Sequence, residues 1–172
     1  MAFVTKSNEK NKEGYNPNDD IMTPRHIAKR IIDELPIDMF DALLDPFKGD
    51  GAFYDQFPIT MHRYWCEIKE GRDFFEFKMP VEWIISNPPY SKFTDVMQHS
   101  YKIAKNIVYL IPLNKIVSSW GRVLDLEKFG GIKKIWIFPA GKANFPFGFP
   151  ACAVWIQKDY KGPIETQLWK DL

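Results

Sequence analysis

Short apolar runs alternate with stretches of helical periodicity along this chain. Behind Thr23-Pro24, Ile27, Ile31 and Leu35 recur at helical spacing. Thr23 suits a helix N-cap and Pro24 a first helical position, so a helix is predicted there, ended by Pro36. Ala42 to Asp45 reads as a short buried strand running into Pro46-Phe47-Lys48-Gly49-Asp50-Gly51, then a short helical stretch from Ala52 to Phe57. Arg63 to Ile68 and Val81 to Ser86 are further predicted strands, the latter stopping at Asn87-Pro88-Pro89-Tyr90. A helix from Phe93 to Lys105 leads into an apolar strand at Ile107 to Ile111. Ser118 or Ser119 caps a helix through Phe129, and Ile132 to Phe138 and Ala151 to Gln157 form two late strands. Strands alternating with helices predict an α/β fold with a mostly parallel sheet and helices on both faces. The last two strands, joined without a helix, predict an antiparallel edge hairpin. Residues 1–20 lack periodicity and read as a flexible segment ahead of a single domain over residues 21–172.

Composition narrows the class. A chain of 172 residues with 45% hydrophobic and 26% charged side chains suits a globular protein, not a disordered, collagen-like or coiled-coil one. No apolar run approaches the ~20 residues that span a bilayer, and the N-terminal stretch is polar, so a cytoplasmic protein with no membrane partner is expected. Cys66 and Cys152 make neither a disulfide framework nor a metal cluster, and no metal is expected. Residues 1–90 hold 11 basic and 16 acidic side chains, residues 91–172 hold 12 and 6. The first half suits a ligand with a cationic centre and the second a polyanion.

Two constellations carry chemistry. In an open α/β sheet, ligands sit at the carboxyl ends of strands. There the first strand offers Asp45 and a turn with Gly49 and Gly51, and the second offers Glu67, an acidic residue spaced to bind ribose hydroxyls. The pair indicates a nucleoside-containing cofactor. The turn lacks the third glycine of a dinucleotide fingerprint and the Gly-Lys-Ser/Thr of a phosphate loop. The second constellation is Asn87-Pro88-Pro89-Tyr90. Two prolines fix the backbone and remove two donors, leaving the Asn87 side-chain oxygen and the Pro88 carbonyl as acceptors for one exocyclic amino group. Tyr90 offers a face on which a planar base can stack.

With these residues in this order, the sequence resembles the S-adenosylmethionine-dependent DNA N6-adenine methyltransferases of bacteria and phages, over about Tyr15 to Lys158. Asp45-Pro46-Phe47-Lys48-Gly49-Asp50-Gly51 resembles their cofactor loop and Asn87-Pro88-Pro89-Tyr90 their catalytic motif, in the γ arrangement. The resemblance implies a Rossmann-like class I methyltransferase fold. It implies that Thr23-Pro24 holds the methionine carboxylate, Glu67 the ribose and Asp73-Phe74 the adenine, and that Ile68 and Asn87 also touch the cofactor. It also implies that an aromatic of the final hairpin, Phe145 or Phe147, stacks on the target base. Lys92, Lys115, Arg122, Lys133, Lys134 and Lys142 are candidates for neutralising phosphates of duplex DNA with a flipped base, or of single-stranded DNA.

The sequence departs from the family in two ways. Glu67 and Asp73 are so close that the intervening helix and third strand must be shortened or lost. Only Lys158 to Leu172 follow the hairpin, which implies a bare catalytic core without a target-recognition domain, working alone or with a separate specificity subunit. Alternatives are methylation of RNA adenine, cytosine N4 or protein glutamine, or an inert cofactor-binding subunit.

Overall fold

The computed structural model describes residues 22–59, 62–112, 114–139 and 151–171. Seven strands form one sheet: β1 (Ala42–Asp45), β2 (His62–Trp65), β3 (Val81–Ser86), β4 (Ala104–Pro112), β5 (Gly130–Ile137), β6 (Ala151–Lys158) and β7 (Glu165–Leu168). Their order is β2-β1-β3-β4-β6-β5-β7. β1 runs parallel to β2 and β3, β3 to β4, and β5 to β7, while β6 is antiparallel to both β4 and β5. The helices are α1 (Arg25–Asp33), α2 (Phe93–Ile103), α3 (Asn114–Val117) and α4 (Trp120–Phe129).

Successive strand side chains point to opposite faces, and the sheet separates two apolar cores accordingly. Leu43, Trp83, Ile85, Val108, Leu110 and Trp136 meet Ile27 and Ile31 of α1 on one face. Leu44, Ile84, Ile107 and Tyr109 meet Val96 and Met97 of α2 and Leu126 and Phe129 of α4 on the other. The expected α/β architecture, mostly parallel with helices on both faces, is what forms. No helix among the described residues is long and apolar enough to cross a membrane.

Four expectations need correction. Thr23 does not cap α1: extended Pro24 occupies the capping position, with no side-chain cap bond, and its carbonyl accepts from the Ile27 and Ala28 amides. The second strand stops at Trp65, because Glu67 turns the chain into a one-turn helix, Ile68–Glu70, closed by Gly71 at φ +75°. The stretch from Ala52 to Phe57 winds only at Tyr54–Gln56. The late hairpin is not at the edge, since β6 lies between β4 and β5, and β7 adds a further strand outside β5. β7 carries the polar sequence Glu165-Thr166-Gln167-Leu168, mostly exposed, which leaves no hydrophobic alternation to read. The expected shortening between Glu67 and Asp73 is borne out: among the described residues no strand lies outside β2, and Glu67 bridges directly to Arg72.

Candidate active site

The chain leaves the carboxyl ends of β1 and β3 into the two turns singled out above. These strands are parallel neighbours, with Leu44 level with Ile84. β1 connects to β2 on one side and β3 to β4 on the other, so the crevice between their ends is the switch point where ligands bind in such sheets. Asp45 ties the two ends together. Its Oδ1 accepts from the Ser86 hydroxyl at 2.6 Å and the Phe47 amide at 3.3 Å, and its Oδ2 from the Tyr54 amide at 3.2 Å. Asp45 is fully buried and braces the turn from within. Burial pushes its carboxyl up to about 7, although the bonds from Ser86, Phe47 and Tyr54 pull the other way.

Around this anchor the glycine turn is held from three sides. Gly49 and Gly51 adopt φ +53° and +85°, conformations that favour glycine, and a Cβ on Gly51 would meet the Asp55 carboxylate at 2.6 Å. Arg25, in the first turn of α1, donates to the Asp50 carbonyl at 2.9 Å and to Asp55 at 3.0 Å. Met22 lies against Gly49, where an added Cβ would stand 3.7 Å from its Sδ. These contacts bring the Thr23-Pro24 segment to the glycine turn, with Thr23 itself buried. On the third side, the Glu67 carboxylate accepts from the Gly49 and Lys69 amides, each at 3.0 Å. Ile68 next to it is 67% exposed, an uncovered apolar face beside the turn.

Asp73 and Phe74 part company. Asp73 accepts from the Phe75 amide and lines a cleft of about 310 Å³ between β2 and residues 71–77, with Arg63, Trp65 and Arg72. The Phe74 ring is buried in the core, edge-on to Phe47 at 5.2 Å and to His99 at 4.7 Å, so this ring serves packing and is not open to a cofactor. Pro46 is buried and Phe47 half-buried.

At the end of β3, Tyr90 donates its hydroxyl to Asn87 Oδ1 at 3.2 Å, with the Leu110 carbonyl at 3.5 Å. Pro88 is buried, while Asn87, Pro89 and Tyr90 are partly exposed. Lys115 donates to the Tyr90 carbonyl at 3.4 Å, and its ammonium lies 5.7 Å from the Tyr90 ring centroid. Lys92 is exposed, whereas Arg122 is half-buried against the Phe93 ring. Phe145, Phe147 and Lys142 lie outside the described residues. Among the described residues no group of His, Cys, Asp and Glu could hold a metal ion, and both cysteines are buried and free. Sequence reasoning missed Ser86 and Arg25. Ser86 had one signal, a lone hydroxyl closing an apolar strand; Arg25 had none beyond its place after Thr23-Pro24.

No protein-family model matches the chain, and no curated protein matches it by sequence. Solved structures share its fold. A protein from Listeria monocytogenes assigned to the class I S-adenosylmethionine-dependent methyltransferases superposes with a TM-score of 0.67 at 13% identity, over 93% of this chain and 69% of that one. The M protein of the type I restriction enzyme EcoKI gives 0.62 at 15% identity, over 80% of this chain and 44% of its own length. A protein from Pyrococcus horikoshii assigned as an RNA methyltransferase gives 0.52 at 13% identity, over 78% and 80%. The chain therefore has the Rossmann-like architecture of class I methyltransferases. It spans less than half of the EcoKI subunit.

Proposed function

We propose that this chain is an S-adenosylmethionine-dependent methyltransferase acting on the exocyclic N6 amine of adenine in DNA. The observation that carries the reading is the Asp45–Ser86 bond, which fixes the glycine turn and the Asn87-Pro88-Pro89-Tyr90 turn on adjoining strand ends. The residues fit the methyl donor. Glu67 is a carboxylate acceptor at the rim, Ile68 an exposed apolar face, and Gly49 and Gly51 take the left-handed backbone that brings the turn close to both. The acidic first half of the chain also suits a sulfonium. When bound, the donor supplies an electrophilic methyl strong enough that the protein's task is chiefly to position the amine.

Asn87 and Pro88 do that positioning. The Tyr90 hydroxyl donates to Asn87 Oδ1 and so holds the amide with its oxygen presented, and a carboxamide oxygen has a second lone pair for an incoming N–H. The Pro88 carbonyl, in a turn whose two prolines lack N–H groups, accepts the other N–H. These bonds draw the amine nitrogen toward tetrahedral geometry and localise its lone pair. The half-exposed Tyr90 ring offers a stacking face to a base swung out of a duplex. No strong base is required among these residues, because the nitrogen's proton becomes acidic once the new bond has formed.

The test is methyl transfer to duplex DNA, single-stranded DNA, RNA and peptide by the natural protein and by Asn87→Ala. Transfer to adenine in DNA is expected, lost at least about a hundredfold in Asn87→Ala, with donor affinity by calorimetry weakened far less than transfer. Transfer only to RNA, to cytosine or to peptide reassigns the substrate. Donor binding without any transfer makes the chain an inert subunit.

A further inference from the structure

We infer that the junction between α3 and α4, Val117 to Trp120, is a docking platform for a nucleic-acid strand, with Trp120 stacking on an unpaired base outside the pocket. The inference rests on the reading above that the substrate is a nucleic acid. α3 follows β4, the parallel neighbour of β3, so the junction leaves the sheet at the same rim as the Asn87–Tyr90 turn. Contacts fix it there. Lys115 of α3 donates to the Tyr90 carbonyl at 3.4 Å. Arg122 of α4 packs on the Phe93 ring, 5.7 Å from its centroid, and donates to the Ser118 hydroxyl at 2.8 Å.

On this anchored junction the large apolar side chains point outward. Trp120 is 75% exposed and Val117 65%, and Leu124, one turn beyond Trp120, is exposed as well. α4 docks through Leu126 and Phe129 near its other end, and packing among the described residues gives Trp120 no role. Charge decides what such a face takes. Lys92, Lys115 and Arg122 lie on the elements at this rim, while the two carboxylates of α4, Asp125 and Glu127, are taken up by Gln98 and Lys161. An apolar face alone would suit a protein. An exposed indole on the rim that carries these three cations, beside the Asn87–Tyr90 turn, suits a polyanion with unstacked bases, since aromatic platforms near positive charge bind single strands. Extruding one base also strips a stacking partner from its neighbours, which leaves a base for the indole to cover.

The experiment measures the affinity of a labelled single-stranded oligodeoxynucleotide, and of a duplex mismatched at one adenine, for the natural protein, Trp120→Ala and Trp120→Phe. Trp120→Ala should bind about tenfold more weakly, and Trp120→Phe nearly as well as the natural protein. Donor affinity and unfolding midpoint should be unchanged in both, because the side chain is exposed. If Trp120→Ala binds within twofold of the natural protein while that protein methylates DNA, the platform is overturned and the proposed activity stands. If the natural protein neither binds nor methylates any nucleic acid and labels peptide instead, the activity and the platform fall together.

Discussion

Three donors converge on Asp45, a carboxyl with no access to solvent. Burial raises it from 3.8 to about 7 in spite of them. Between those values the folded protein holds the proton more tightly than the unfolded chain does. Stability therefore falls as pH rises through this window and levels off above it. The slope from one such group is at most about 1.4 kcal/mol per pH unit. Urea unfolding between pH 4.5 and 8 should show this component in the natural protein and its absence in Asp45→Asn. An unchanged pH profile in the variant would mean that Asp45 does not titrate in this range. The position of Asp45 at a strand end before a glycine turn was legible in the sequence, but its role was not. A carboxylate facing a ligand and one bracing the turn have the same local sequence, and the partner that distinguishes them, Ser86, is distant in the chain. Phe74 has the same ambiguity: an aromatic beside an acidic residue reads as a cofactor contact until the ring is seen packed on Phe47 and His99.

At the scale of elements, Glu34 joins three parts of the molecule. It caps the end of α1, and its carboxylate accepts from Trp136 of β5, from Lys134 at 3.1 Å, from Gln167 of β7 at 3.3 Å and from Trp169 at 3.1 Å. Burial alone would push this carboxyl up, but the indole and ammonium donors outweigh it and hold it below its ordinary value. Its contribution to stability is thus full above about pH 4.5 and lost as pH falls through the lowered folded value. Glu34→Ala strands those donors and should cost about 2–4 kcal/mol, read as a lower urea midpoint at neutral pH. The cluster also explains which elements sequence patterns revealed. β1, β3 and β4 are buried runs of Leu, Ile and Val and announce themselves. β7 is held by Gln167 and the following Trp169, anchors of tertiary structure that no local period encodes.

At the scale of the whole molecule, the elements that leave the carboxyl ends of β3 and β4 carry Lys92, Lys115 and Arg122. Under the proposed function, three cations at that rim, Lys92, Lys115 and Arg122, predict a steep salt dependence of binding to DNA. With one phosphate each, affinity should fall about 20- to 40-fold between 50 and 200 mM salt. A flat dependence would show that these side chains serve the fold alone. The layered architecture and the order of the two turns followed from the sequence, because strand and helix periods and proline and glycine punctuation are local signals, whereas the strand order that makes their crevice a switch point is not a local signal. That no strand among the described residues lies beyond β2 was legible too, since too few residues separate Glu67 from Asp73 to build one.

α1 behaves as a stiff rod roughly 13 Å long, pinned at both ends. Its head is stapled by Arg25 to the glycine turn and its tail is clasped by the indoles around Glu34. Slack at the tail is then delivered to the head as tilt, like play in a lever whose fulcrum has worn. Glu34→Ala, although remote from any ligand, should loosen the grip on the methyl donor by roughly 0.5–2 kcal/mol, measurable by calorimetry at a temperature where the variant remains folded.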